Sequence, residues 1–211
     1  MKKSLGLYNF ATALLGGIFK LLFRVEVIGK ENENFDGSAI YCVNHMSNWD
    51  PVIVACVTKR PINFIAKMEL FRIPVLKNIL DALGVYPIER GVNDLTAMKT
   101  TLNILKDGGS ICLFPQGTRC PDVDPKETKP KNGVSMMVRH SKATVLPIGL
   151  YTKNYRMKIF RKVYVVIGDP ITYDEIGFAD SSREEYERVG KLIFGEICAL
   201  CDSVKDGKNN G

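Results

Sequence analysis

Ala39-Ile40-Tyr41-Cys42-Val43-Asn44-His45-Met46-Ser47-Asn48-Trp49-Asp50-Pro51 holds a strand, a loop and a helix start in one run. Residues 39–43 read as a short strand that ends just before Asn44. Asp50 and Pro51 open a helix, with Asp as N-cap and Pro at the first helical position. His45 therefore lies in a strand-to-helix loop, and Asp50, at the helix mouth, is able to fold back onto its imidazole. An imidazole titrates near neutral pH, and a carboxylate beside it fixes its tautomer and stabilises the imidazolium. The pair reads as a general base with its orienting partner, against the plainer reading of a structural histidine. Asn44 is placed to hold the loop through side-chain bonds to backbone.

The alternation continues outward. Strand-like patterns cover residues 24–28, 63–66 (leading to Lys67), 85–88, 110–114, 144–150 and 162–167. Between them lie a helix over 74–83, ended by Gly84, and another over 132–140. A third helix is capped by Asn93, carries Leu95, Met98, Leu102 and Leu105 on one stripe, and stops at Gly108-Gly109. Ser182 and Glu185 form a capping box for the last helix, whose Val189, Ile193, Ile197 and Leu200 recur at helical spacing. With no internal repeat and no convincing linker, this predicts an α/β fold: a single domain with a mostly parallel central sheet flanked by helices. Ligands of such sheets bind beyond the carboxyl ends of the strands, where His45, Lys67 and Arg119 all fall.

Composition bounds the partners. The 211 residues suit one domain with a real core, and 45% apolar with 25% charged is ordinary for a globular protein. A formal net charge of +6 favours an acidic partner, either nucleic acid or an anionic membrane surface. Basic residues are scattered with no run of four, which argues against nucleic acid. Cys42, Cys56 and Cys112 sit in apolar neighbourhoods and read as reduced core residues. Cys198 and Cys201 are a C-x-x-C pair late in a helix, with no second ligand pair nearby, so helix packing is favoured over zinc.

Residues 1–23 form a unit ahead of the main domain, 24–204, and a flexible tail is expected over 205–211. Ser4 to Phe19 carry no charge, but a spanning helix needs about 20 apolar residues. No A-x-A-like cleavage site follows, which speaks against a secreted precursor. Two readings stand. One is a helix packed on the domain; the other is an interfacial helix anchored by Lys2, Lys3 and Lys20. The second puts the protein on the cell membrane, peripheral or monotopic, at its cytoplasmic face.

Phe114-Pro115-Gln116-Gly117-Thr118-Arg119 is a Gly-containing turn ending in a guanidinium, suited to bidentate binding of a phosphate. The plainer reading pairs Arg119 with the Asp122/Asp124 loop. There is neither a G-x-x-x-x-G-K-[ST] P-loop nor a G-x-S-x-G elbow, so this is not a nucleotide P-loop, and the missing elbow speaks against a serine hydrolase. Lys67 and Arg90, taken alone, are surface charges, and His140 is a cation at a helix end. Residues 153–162 alternate basic and apolar, as an edge strand or hairpin would, or as a patch for anionic lipid or an acidic acyl-carrier partner.

Together these segments resemble the glycerolipid acyltransferase family, which includes the lysophosphatidate acyltransferases. Asn44-His45 to Asp50 is similar to its N-H-x-x-x-x-D block, and Gly84 to Arg90 to G-x-x-x-I-x-R. Phe114 to Arg119 is similar to F-P-E-G-T-R, with Gln116 where the family usually has Glu. Val145-Leu146-Pro147-Ile148-Gly149 resembles the last apolar block, and Lys67-Met68-Glu69-Leu70 the K-x-E-L stretch. The resemblance implies acyl transfer from acyl carrier protein or acyl-CoA to the 2-hydroxyl of a lysophospholipid, with no metal or other cofactor. His45 would deprotonate the hydroxyl and Asp50 orient it, without a covalent acyl-enzyme. Arg119 and Arg90 would hold phosphate, Gly117 and Thr118 shape that pocket, Gln116 contribute to acceptor binding, and Lys67 bind phosphate or stabilise the oxyanion. Two alternatives accompany it: another acceptor, glycerol 3-phosphate or a lyso-aminolipid, and a non-catalytic lipid- or acyl-carrier-binding protein.

Overall fold

Five consecutive apolar residues at 39–43 require cover on both faces of their strand, which only a central position supplies. The computed structural model describes residues 5–74, 77–78, 80, 84–88 and 95–206. Its strands are β1 (Glu26–Ile28), β2 (Ala39–Val43), β3 (Ile62–Asn63), β4 (Ile65–Lys67), β5 (Tyr86–Ile88), β6 (Ser110–Leu113), β7 (Thr144–Tyr151) and β8 (Tyr164–Ile167). The main sheet runs β1-β8-β7-β2-β6-β3, with every pairing parallel except β7 to β8. The helices are α1 (Leu5–Phe23), α2 (Asp50–Val57), α3 (Leu95–Lys106), α4 (Gly133–Ser141), α5 (Tyr173–Ile176) and α6 (Arg183–Asp206). This is the expected α/β domain.

Side chains alternate across a strand, so β2 supplies two cores. Tyr41 and Val43 join Phe19 and Phe23 of α1 and Ile53 and Val54 of α2. Ile40 and Cys42 join Leu105, Val138, Val189, Ile193 and Ile197 from α3, α4 and α6. Each fully buried side chain of this size contributes about 1.5–3 kcal/mol. Gly149 of β7 lets α6 cross closely: an added Cβ would lie 2.8 Å from Leu200 Cβ and 2.9 Å from the Cys201 nitrogen. Cys42 and Cys112 are buried, Cys56 is half-buried, and Cys198 and Cys201 are buried on α6.

Several elements differ from the sequence expectation. The strand read over 63–66 divides: β3 pairs with β6, whereas β4 leaves the main sheet to pair with β5. Asp50 is the first residue of α2 and Trp49 its N-cap, one residue earlier than expected. On α3 the buried residues are Ala97, Thr101 and Leu105, while Leu95 is 73% exposed. Thr101 tolerates burial because its hydroxyl bonds Ala97 O and Tyr86 OH. Residues 153–162 form no strand or hairpin; a 3-10 turn, Lys153–Tyr155, opens an irregular loop with positive φ at Asn154, Tyr155 and Phe160. Only half of the capping box forms, because Glu185 turns to Ala179 N–H and Arg188 rather than to Ser182. Lys205 is helical and its Nζ lies 2.7 Å from Asp124 Oδ2; residues 207–211 are outside the described set. The cap at Asn93 and much of the helix over 74–83 also fall outside it.

α1 has two apolar faces. Tyr8, Phe19 and Phe23 are buried in the domain, and Tyr8 OH accepts the Ile62 N–H at 3.1 Å. Phe10, Leu14, Ile18 and Leu21 are exposed. No helix among the described residues is long and apolar enough to cross a membrane.

Candidate active site

Where β2 ends, Asn44 takes over the role of a strand residue. Its Nδ2 donates to Leu150 O at 2.9 Å, and Leu150 N–H donates to its Oδ1 at 2.7 Å. One amide thus satisfies a donor and an acceptor of β7 as the chain leaves the sheet. His45 follows, with Nδ1 2.8 Å from Asp50 Oδ2. The same oxygen accepts Met46 N–H and Ser47 N–H, both at 2.7 Å. Placing the N-cap at Trp49 rather than Asp50 is what frees this carboxylate to face its own preceding loop. Asp50 is fully buried, and burial holds its carboxyl above the usual carboxylate range, against the bonds from His45, Ser47 and Met46 that pull it down. Two backbone N–H donors on the oxygen that meets Nδ1 mark it as an acceptor. Nδ1 then carries the hydrogen and Nε2 keeps its lone pair.

A second loop grips the first. The Phe114 ring, delivered by β6, stacks on the His45 imidazole with centroids 4.1 Å apart and 22° between planes. Gln116 Oε1 accepts His45 N–H at 2.7 Å, and Cys120 N–H donates to His45 O at 2.8 Å. Gln116 is buried, and its Nε2 donates to Thr128 Oγ1 at 3.2 Å. Both ends of that amide are therefore occupied by protein. Gly117 sits at φ +67, with its N–H on Phe114 O at 2.9 Å. A side chain there would be strained and would meet the Lys131 stem, whose Cδ would lie 2.7 Å from the added Cβ.

Thr118 and Arg119 are exposed at the tip of this turn. The acids that the plainer reading gave to Arg119 are taken: Asp122 by Arg156 at 2.7 and 2.6 Å, and Asp124 by Lys205 at 2.7 Å. Arg119 has no acid partner among the described residues. The structure thus brings His45, Asp50, Gln116, Gly117, Thr118 and Arg119 into two interlocked loops at the carboxyl ends of β2 and β6. Lys67 ends β4, opposite Ile88 in the separate strand pair, and Arg90 is outside the described residues. His140 is exposed near the end of α4 and takes no part. Sequence reasoning missed Thr128, Lys131 and the Phe114 ring stack. Thr128 and Lys131 lie between the 114–119 turn and the helix over 132–140, where no motif falls, and nothing local marks them.

The arrangement offers an imidazole nitrogen with a free lone pair, oriented by a buried carboxylate, beside an exposed guanidinium. Residues 24–151 match the family described as Acyltransferase, a span that includes both loops. The chain belongs to the acyltransferase family. This acyltransferase is 28% identical over 169 residues to the 1-acyl-sn-glycerol-3-phosphate acyltransferase of Bacillus subtilis (strain 168), covering 78% of this chain and 82% of that protein. It is 28% identical over 215 residues to the enzyme of that name from Streptococcus pneumoniae (strain ATCC BAA-255 / R6), covering 95% and 76%. The crystal structure of the 1-acyl-sn-glycerophosphate acyltransferase from Thermotoga maritima matches at a TM-score of 0.72 and 24% identity, over 94% of this chain and 80% of that one. The acyltransferase therefore shares its fold over nearly its whole described length.

Proposed function

We propose that this acyltransferase moves a fatty acyl group from acyl carrier protein or acyl-CoA to the 2-hydroxyl of 1-acylglycerol 3-phosphate, making phosphatidic acid. The observation that carries the reading is the 2.8 Å bond from His45 Nδ1 to the buried Asp50 carboxylate, which leaves Nε2 as the base. Nε2 takes the proton of the acceptor hydroxyl as its oxygen attacks the thioester carbonyl. The tetrahedral intermediate expels the thiolate, which takes the proton back from the imidazolium, so no acyl group is carried on the enzyme. Arg119 holds the acceptor phosphate, with Arg90 and Lys67 as further cations in the same reading. Gly117 and Thr118 shape the turn, and Lys131, lying over Gly117, adds positive charge beside it. α1 rests on the cytoplasmic leaflet of an anionic membrane with its open apolar face, where acceptor and product reside.

Gln116 acts through His45 rather than on the acceptor, since its amide is spent on His45 and Thr128. It gives no ground for moving to glycerol 3-phosphate or a lyso-aminolipid. An acceptor panel tests the assignment: thiol release is expected with lysophosphatidate and not with glycerol 3-phosphate, and the reverse order would overturn it. Arg119→Ala should raise KM for lysophosphatidate about 10–100-fold with kcat nearly kept, the loss of about 1.5–3 kcal/mol of charged hydrogen bonding. An unchanged KM would remove Arg119 from the phosphate site.

A further inference from the structure

The loop at 158–161 pairs a strained backbone with exposed apolar side chains. Phe160 has φ +64, a region that glycine alone enters freely, yet its ring is 69% exposed, and Ile159 beside it is 59% exposed. The loop is stitched to the end of α1: Phe160 N–H donates to Leu22 O, and Val163 N–H to Phe23 O at 3.0 Å. Arg161 Nη1 holds it closed through Lys153 O and Arg156 O, both at 3.1 Å. It therefore adjoins Leu21, the last residue of the open stripe Phe10, Leu14, Ile18 and Leu21. Lys20, Arg24, Lys153 and Lys158 are exposed on the neighbouring segments, and none forms an ion pair among the described residues, Lys158 acting on Asp122 only from beyond contact. The nearby acids are engaged, Asp122 by Arg156 and Glu26 by Lys162.

We propose that Ile159 and Phe160 are a second membrane-inserting element, entering the acyl boundary of an anionic bilayer beside α1 while Lys20, Arg24, Lys153 and Lys158 meet lipid phosphates. The proposal rests on the reading of α1 as an interfacial helix. Exposed aromatic and aliphatic tips ringed by unpaired cations are the chemistry of a lipid interface, whereas protein interfaces are depleted in lysine. Two attachment points instead of one fix the rotation of the domain about α1, and so the aim of the His45 loop toward the leaflet.

The test uses the full chain with phosphatidylcholine vesicles, with and without phosphatidylglycerol. Phe160→Gly removes the ring and relieves the positive φ, so its thermal midpoint should be unchanged or higher. Its partition onto the anionic vesicles should fall about tenfold or more, as loss of one inserted aromatic side chain requires. Ile159→Ser should weaken partition in the same direction without touching the strained residue. Turnover of a short-chain lysophosphatidate that stays monomeric in water should be unaffected in both. Partition equal to wild type in both variants overturns the proposal. So does a Lys158→Glu variant that raises KM for acyl carrier protein but not acyl-CoA while binding vesicles normally, since the loop would then be a protein dock. If the wild type itself turned over no short-chain acceptor, the acyl-transfer reading would fail, while the partition comparison would still decide the insertion of the loop.

Discussion

At position 116 an amide stands where the F-P-E-G-T-R block that this turn resembles has a carboxylate, and the hydrogen bonds around it hold the turn together. Oε1 accepts from His45 N–H as a carboxylate oxygen would, and Nε2 donates to Thr128, whose hydroxyl is left free to donate to Pro125 O at 2.7 Å. Gln116→Leu leaves a buried N–H unpaired and should cost about 1–3 kcal/mol of stability. Because His45 then loses a backbone tether, kcat should fall more than KM rises. Gln116→Glu restores an acceptor and should recover much of kcat. Wild-type kcat in the leucine variant, with folding checked by its denaturation midpoint, would contradict this positioning role. The sequence made His45, Asp50 and Arg119 legible because each carries its chemistry in its residue type. Thr128 and Lys131 were illegible because their roles come only from the fold of the 120–131 loop over Gly117.

Among the elements, β2 was the most readable, since an apolar run of five between polar segments has few other places to go. The errors have separate physical causes. α3 buries Thr101, a hydroxyl satisfied by Tyr86 across the structure, which an apolar-stripe count misses. Residues 62–67 keep one extended pattern while changing partner strands, and periodicity does not encode partners. At the start of α6, Glu185 is held near about 2 by Arg188 first and then by the Ala179 N–H, below the ordinary glutamate range. A depressed carboxyl contributes stability that is fully present above its unfolded value near about 4.3 and is lost as pH falls toward about 2. Glu185→Gln should therefore flatten the fall of the thermal midpoint across that window relative to wild type. Parallel curves for the two proteins would show that the Glu185–Arg188 pair adds nothing.

At the scale of the whole molecule, the parallel strands converge their carboxyl ends on one edge, and the two loops leaving β2 and β6 lock together there through His45. α1 lies over the α2 side of the sheet and leaves a second apolar face open. These features are the ones the proposed activity uses, in which an imidazole activates a hydroxyl on a molecule drawn from a lipid surface. The decisive measurement is free-thiol release from a fatty acyl thioester in detergent micelles containing lysophosphatidate, for wild type and for a folded His45→Ala variant. The account predicts acceptor-dependent release by the wild type and a loss of about 10²–10⁴-fold or more in the variant. Release that persists unchanged without the imidazole, or that never occurs with folded wild-type protein, would contradict it.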